Sequence, residues 1–568
     1  IAELRRRRVF RAAIVYVVGA FAALQGADIL VPALALPDWT MTLLVVLVLL
    51  GFPVVMGLAW AFDLGPGGVT RTPGSDEPVI RPRIAAEEGP GPRPDGSRLR
   101  SGSVLAGSGR AVPSVAVVPF LNMSADAENE YFADGITEDV IAHLSKVRAL
   151  RVISRTSVMP FKKRGHSLRE IGAQLGATTL LDGSVRRVGD RVRIVAELVD
   201  VETDQHLWAE TYDRDLTDIF SIQTDVALHI AAALEAELSP DEQVRIRKEP
   251  TANLQSYELY LKGRHLYIGY TPGSLRRAIE YFRRAIEGDP EYALAYAGIA
   301  LAYAELNETG ALAPGVARRQ AMDAAAEALR LDPCLGEAHC AMAHLKSLWE
   351  FDWEGADAGF RRAIELSPSL ADAYDFYGRF CSALGRFDEA LALQRRAQEL
   401  DPLAHRLDVS TTLLRAGRYA EAATETERAL EFDPDHDRAH ATLGWALFQQ
   451  GRTAEGLAEL ERAVELSPGN TQWLAQLGQA RGLAGDVAGA RDILRRLETQ
   501  AGTDFVAPYN LAYVHTGLGE HERALDLLER ALEDRAGAVY AIKGSFLFAP
   551  LRPHPRFRAL LAKLNLPD

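Results

Sequence analysis

Three carboxylates, Asp134, Glu138 and Asp139, fall close together in a stretch of helical pattern. Paired carboxylates at such spacing can share general acid–base work. At the entrance to a helix the same side chains merely complement its dipole. Lys162-Lys163-Arg164 is a basic loop of the kind that meets a phosphate or a lipid headgroup, or simply stays solvated. The three cysteines, Cys334, Cys340 and Cys381, lack the paired spacing of a zinc site and read as small buried residues in or beside helices. So few cysteines suit a reducing compartment. The chain has no Gly-rich phosphate loop, no His-Glu-x-x-His and no Gly-x-Ser-x-Gly elbow. The expectation is a protein that is not an enzyme, with no cofactor and no catalytic or bound metal; a cyclase-related enzyme is the last alternative.

These residues need a scaffold, and 568 residues are too many for one core. A net charge of −14 argues against a nucleic-acid partner, because phosphate backbones are held by basic surfaces. Ordered patterning begins at Ser114–Phe120, a short apolar run of buried-strand type. An amphipathic helix follows over about 130–144, then a strand over 150–154. Ser167 with Glu170 forms a capping-box pattern at the start of a second helix, which Gly176 stops. Val192, Ile194, Ala196 and Leu198 alternate as one face of a hairpin strand after the Gly189-Asp190 turn. A helix over about 219–238 closes this α/β region, expected to span 114–240.

The blocks Val115–Phe120, Tyr131–Glu138, Arg151–Ser157, Leu181–Arg186 and Leu207–Asp213 resemble the amino-terminal domain family of the periplasmic protein TolB. The match is to the version fused to tetratricopeptide repeats in bacterial membrane proteins. Arg7–Arg11, Pro37–Trp39, Leu58–Phe62 and the ending Leu551–Phe557 are similar to those proteins as well. The resemblance implies an architecture and no settled activity.

The second half of the chain keeps a beat. Pro290, Pro333, Pro368, Pro402, Pro434 and Pro468 stand 43, 35, 34, 32 and 34 residues apart. A period of 34 with helical patterning is that of the tetratricopeptide array, in which one helix pair cannot bury its apolar face alone. About eight units are expected over 253–536, with 537–568 as a C-terminal capping segment. The step of 43 places an inserted loop around Asn307–Pro314, and the step of 32 shortens the first helix of the fifth unit. The inner face of the first helices carries Asp375, Arg379, Trp445, Phe448, Tyr509 and Tyr513, a candidate groove for an apolar or extended peptide. The same aromatics would also serve to pack neighbouring repeats. The groove lacks the Lys/Arg/Asn set that clamps a C-terminal carboxylate.

Two apolar runs precede all this, from about Val9 to Leu36 and from Met41 to Phe62. The second is long enough to span a bilayer. Arginines flank both ends while the intervening turn has none, so both ends are expected on the cytoplasmic side. The expected fold is therefore multidomain: a transmembrane helical hairpin over 1–64, a disordered Gly/Pro/Arg-rich linker over 65–113, a small α/β domain and an all-α solenoid. The expected partners are a protein or peptide in the groove and the lipid bilayer through 9–62; homo-oligomerisation is left open. The expected location is the bacterial inner membrane with cytoplasmic soluble domains, or periplasmic ones if only the second run spans. The function expected is a protein–protein interaction scaffold. The alternative is a sensor whose α/β domain binds a small molecule and relays to the repeats.

Overall fold

The structure, a computed structural model, describes residues 62–65, 68–71, 112–124, 129–162, 165–267, 271–308, 311–403, 405–503 and 505–566. The chain divides into two compact units, Ile1–Ala106 and Gly107–Asp568. In the first unit β1 (Phe62–Gly65) pairs antiparallel with β2 (Gly68–Arg71).

This corrects the expected transmembrane hairpin. Among the described residues no helix is long and apolar enough to cross a membrane. Phe62, taken as the end of the second span, instead opens a paired strand, and extended backbone cannot continue a helix. The rest of the two apolar runs lies outside the described residues, as does most of the expected linker. The inner-membrane location and the bilayer partner rested on the hairpin and are withdrawn with it.

In the second unit a six-stranded sheet has the order β5-β3-β6-β7-β8, with β4 also on β6. The strands are β3 (Ser114–Val117), β4 (Leu121–Asn122), β5 (Arg151–Val152), β6 (Thr179–Val188), β7 (Arg191–Asp200) and β8 (His206–Asp215). β3 runs parallel to β5 and β6, whereas β6, β7 and β8 form an antiparallel meander. The alternation along β7 decides its orientation: Val192, Ile194, Ala196 and Leu198 are all fully buried. Each large aliphatic side chain so buried contributes roughly 1.5–3 kcal/mol. Beside the sheet lie α1 (Glu130–Ser145), α2 (Arg155–Val158), α3 (Leu168–Leu175), α4 (Ile219–Ala233) and α5 (Pro240–Arg247). Ser167 and Glu170 form the capping box at α3, and Gly176 ends that helix at φ 61°.

The helices between Leu254 and Glu533 come in antiparallel pairs: α6 (Leu254–Tyr267) with α7 (Pro272–Gly288), α8 (Ala293–Glu308) with α9 (Pro314–Leu331), α10 (Gly336–Leu345) with α11 (Trp353–Leu366), and α12 (Ala371–Ala383) with α13 (Phe387–Leu400). Then follow α14 (Asp408–Arg415) with α15 (Tyr419–Phe432), α16 (Asp437–Gln449) with α17 (Thr453–Leu466), α18 (Thr471–Leu483) with α19 (Val487–Ala501), and α20 (Pro508–Gly517) with α21 (His521–Glu533). The turn inside the last five of these pairs passes through Gly385, Gly417, Gly451, Gly485 or Gly519, each with φ between 74° and 88°, where a Cβ would be strained. The irregular steps have structural counterparts. The long step appears as extended α8 and α9, of 16 and 18 residues; the short one appears as the eight-residue α14.

The sheet-bearing part and the repeats share one hydrophobic core. Edge strand β5 lies against the repeat turns. Val152 N–H donates to Ser369 Oγ at 3.2 Å, and that hydroxyl donates to Leu150 O. Ser154 N–H donates to Leu400 O at 2.7 Å, and the Ser157 hydroxyl donates to Asp401. A sheet edge that would otherwise offer free backbone groups is thereby covered. On the other side, α1 packs against α6 at Gly135, where any Cβ would collide with Leu261.

Candidate functional site

The three carboxylates of α1 do not meet as an acid–base pair. The helix starts at Glu130, so Asp134, Glu138 and Asp139 lie beyond its first turn and each takes a separate partner. Lys162 Nζ lies 2.6 Å from Asp134, while Lys163 and Arg164 lie outside the described residues. Glu138 is clamped by Arg264 at 2.7 Å and Arg155 at 3.3 Å. Burial opposes its ionisation, and the two guanidiniums outweigh that and hold its pKa below the usual value. Asp139 accepts from the Tyr257 hydroxyl and from Gln223 Nε2. Burial raises its pKa to about 7, and the Glu138 charge adds to that rise. Tyr257 and Arg264 belong to α6, so this cluster fastens the sheet region to the first repeat.

The candidate groove is built by the first helices of the pairs. Asp375 and Arg379 lie one turn apart on α12, with Arg379 Nε 3.1 Å from Asp375 and its guanidinium 4.3 Å above the Phe376 ring. Trp445 and Phe448 share a face of α16, ring centroids 5.4 Å apart. Tyr509 and Tyr513 do the same on α20 at 6.0 Å. Trp445 also donates from Nε1 to Gln476 Oε1 on α18 at 2.9 Å. Trp445 thus packs between repeats, one of the two roles considered for these aromatics.

What lies on that face is the chain's own C-terminal segment. Phe546 packs edge-on against Trp445 at 5.5 Å, and Phe548 stacks on Tyr513 at 4.9 Å. Between them, Leu547 O accepts from Gln479 Nε2 at 2.6 Å. Gly544 passes so close to Ser382 O and Ala383 O, at the end of α12, that a Cβ could not fit. Tyr540 is buried near Arg379 and Arg415, and burial raises its pKa to about 12. Thus 540–551, expected as part of a cap, runs against Trp445, Gln479 and Tyr513. The signal for it was the run Phe546-Leu-Phe-Ala-Pro-Leu551, too apolar to face water and too short of periodicity to be a repeat helix.

A second feature was not expected. Asp375, His405 and Asp408 bring one ligand atom each within 4.8 Å of one another, all buried. His405 Nδ1 lies 3.0 Å from Asp408 Oδ2, and Arg438 lies 2.7 Å from Asp408 Oδ1. Burial alone would lower the His405 pKa, yet the Asp408 hydrogen bond and the Asp375 charge raise it to about 10. A protonated imidazole and two guanidiniums outweigh the two carboxylates, so the cluster has no excess negative charge with which to hold a cation. That is the chemistry of an ion-pair network rather than of a metal centre. The sequence signal was the His405-x-x-Asp408 spacing at the start of the short α14.

Residues 371–402 and 413–480 match the tetratricopeptide repeat family, which places α12–α13 and most of α14–α18 in that class. The chain therefore carries tetratricopeptide repeats over these residues. Among curated proteins it is similar to "Putative adenylate cyclase 3" of Rhizobium meliloti (strain 1021), 41% identical over 34% of this chain and 32% of that one. It is also similar to "Transcriptional regulator HilA" of Salmonella paratyphi A (strain ATCC 9150 / SARB42), 26% identical over 26% of this chain and 27% of the relative. The chain thus spans about a third of the length of the curated relatives it matches. Similar solved structures include one described as the functional characterisation of Pseudomonas aeruginosa pilF, 19% identical, TM-score 0.29, covering 37% of this chain and 93% of that one. Another is the APC/C hetero-tetramer Cut9-Hcn1, 15% identical, TM-score 0.38, covering 61% and 63%.

Proposed function

We propose that this chain is a non-enzymatic protein–protein interaction scaffold whose groove recognises an extended segment carrying two aromatic side chains two residues apart. The observation behind this reading is the seat of Phe546 and Phe548 on Trp445 and Tyr513, with the intervening carbonyl held by Gln479. Aromatic anchors supply area, and a side-chain amide on the main chain supplies register; together they recognise a backbone conformation more than a sequence. The chain's own segment stands in for the partner, and a partner of the same pattern competes with it. An intramolecular occupant is favoured by its high effective concentration, so the wild-type groove answers only to tight or abundant partners.

The test is binding of a fluorescent peptide spanning residues 543–552. Phe546→Ala/Phe548→Ala is expected to bind it about tenfold or more tighter than wild type, each aromatic pair being worth about 0.5–1.5 kcal/mol beyond its area. Adding Trp445→Ala and Tyr513→Ala is expected to abolish that gain. Equal, negligible binding by all three proteins would overturn the assignment of the groove.

A further inference from the structure

A second crevice lies away from the groove, where α1, the end of α5 and the turns preceding α8 and α10 come together around a cavity of about 590 Å³. That is the size of a site for a small metabolite. Three basic side chains meet on its wall. His143, in the last turn of α1, and Lys146, just past its end, lie three residues apart, and Arg245 lines the same cavity from α5. His143 is 4% exposed. Its Nδ1 must donate to Asp139 O at 2.8 Å, which leaves Nε2 as an acceptor, and that atom is buried without a hydrogen-bond partner. Arg245 Nε is a buried donor without one as well. Lys146 Nζ donates to Arg245 O at 3.1 Å.

Buried polar atoms are nearly always paired, and an unpaired one carries a desolvation cost. Here an acceptor and a donor go unpaired on the wall of one cavity, with an ammonium beside them. The acids around the crevice are partly engaged: Asp332 pairs with Lys248 at 2.8 Å, and Asp289 accepts from Thr251. Burial disfavours the Lys146 charge, and the neighbouring Arg245 adds to that; Glu337 and Asp332 counter both. An anion placed between Lys146 and Arg245 would relieve their repulsion, and a hydroxyl beside it would satisfy His143 Nε2. We propose that this crevice binds a small hydroxylated anion, a carboxylate or a phosphate monoester, gripped by Lys146 and Arg245 and oriented by His143. Its walls come from the sheet region on one side and the first three repeats on the other, so an occupant ties the two together. This site is independent of the groove.

Cys334 lies on the crevice wall and is exposed, whereas Cys340 and Cys381 are buried, so thiol labelling reports on occupancy directly. The full chain is titrated with glycerol 3-phosphate, glycerate, inorganic phosphate and glycerol, following both Tm and the labelling rate of Cys334. Glycerol 3-phosphate or glycerate is expected to raise Tm and to slow labelling about tenfold at ten times Kd. Glycerol alone is expected to do neither, and phosphate alone to act more weakly. Lys146→Met and Arg245→Gln are each expected to lose both responses; Arg245, on the half-exposed end of α5, keeps the test open if the Lys146 variant fails to fold. The proposal is overturned if no probe changes either readout in wild type, or if the responses persist unchanged in Arg245→Gln. A phosphate response as strong as that of glycerol 3-phosphate would remove His143 from the site.

Discussion

His405 illustrates how a neighbourhood sets a residue's charge. Its pKa rises in the fold from 6.5 to about 10, because the Asp408 hydrogen bond and the Asp375 charge overcome burial. A group whose folded pKa is raised stabilises fully below its unfolded value and loses that contribution as pH climbs through the folded one. The window therefore runs from about pH 6.5 to about pH 10. Urea midpoints of wild type and His405→Gln are expected to differ most near the acid end and to converge towards the alkaline end. A gap that stayed constant across the window would mean the imidazole is neutral in the fold. Little of this cluster was legible beforehand, since Asp375, His405 and Arg438 come from three successive repeats and no local pattern links them.

At the scale of elements, two serine hydroxyls bridge the region around edge strand β5 and the repeat turns. The Ser369 hydroxyl both accepts from Val152 N–H and donates to Leu150 O, and Ser157 serves Asp401 and Leu403 N–H in the same way. Ser369→Ala leaves a buried amide without its acceptor, which costs about 1–3 kcal/mol. Hydrogen exchange should show the loss concentrated at 150–154; faster exchange spread evenly over the repeats would contradict the contact. The elements themselves were the readable part. Strand β7 announced itself through Val192, Ile194, Ala196 and Leu198, and the helix pairs through their prolines and glycines, because both depend on short-range periodicity. The Phe546–Leu551 segment did not, because its seat is made of residues 35 to 101 positions upstream on three separate helices. Phe62 was misplaced at the end of a span for the related reason that hydropathy measures what a segment avoids and says nothing of its shape.

For the molecule as a whole, the C-terminal segment closes what is otherwise a linear array. Arg535 donates to Trp349 O, and Trp353 Nε1 donates to Leu564 O at 2.8 Å, so the last turn of the chain reaches back to the third helix pair. In an open repeat array each unit touches only its neighbours, and the ends fray first. Here the segment that follows the terminal pair is tied to a pair some 200 residues earlier. Trp353→Phe, which keeps the ring and removes the donor, is expected to broaden the urea transition or split it, with the last two pairs melting first. A single sharp transition unchanged from wild type would show that the tie carries no weight. The same tie changes how the protein would answer to force. Pulling on the far end of an open array peels one unit after another at low, even tension, whereas this array must first break its clasp. It would hold its length and then yield at once, the behaviour of a latch and not of a spring.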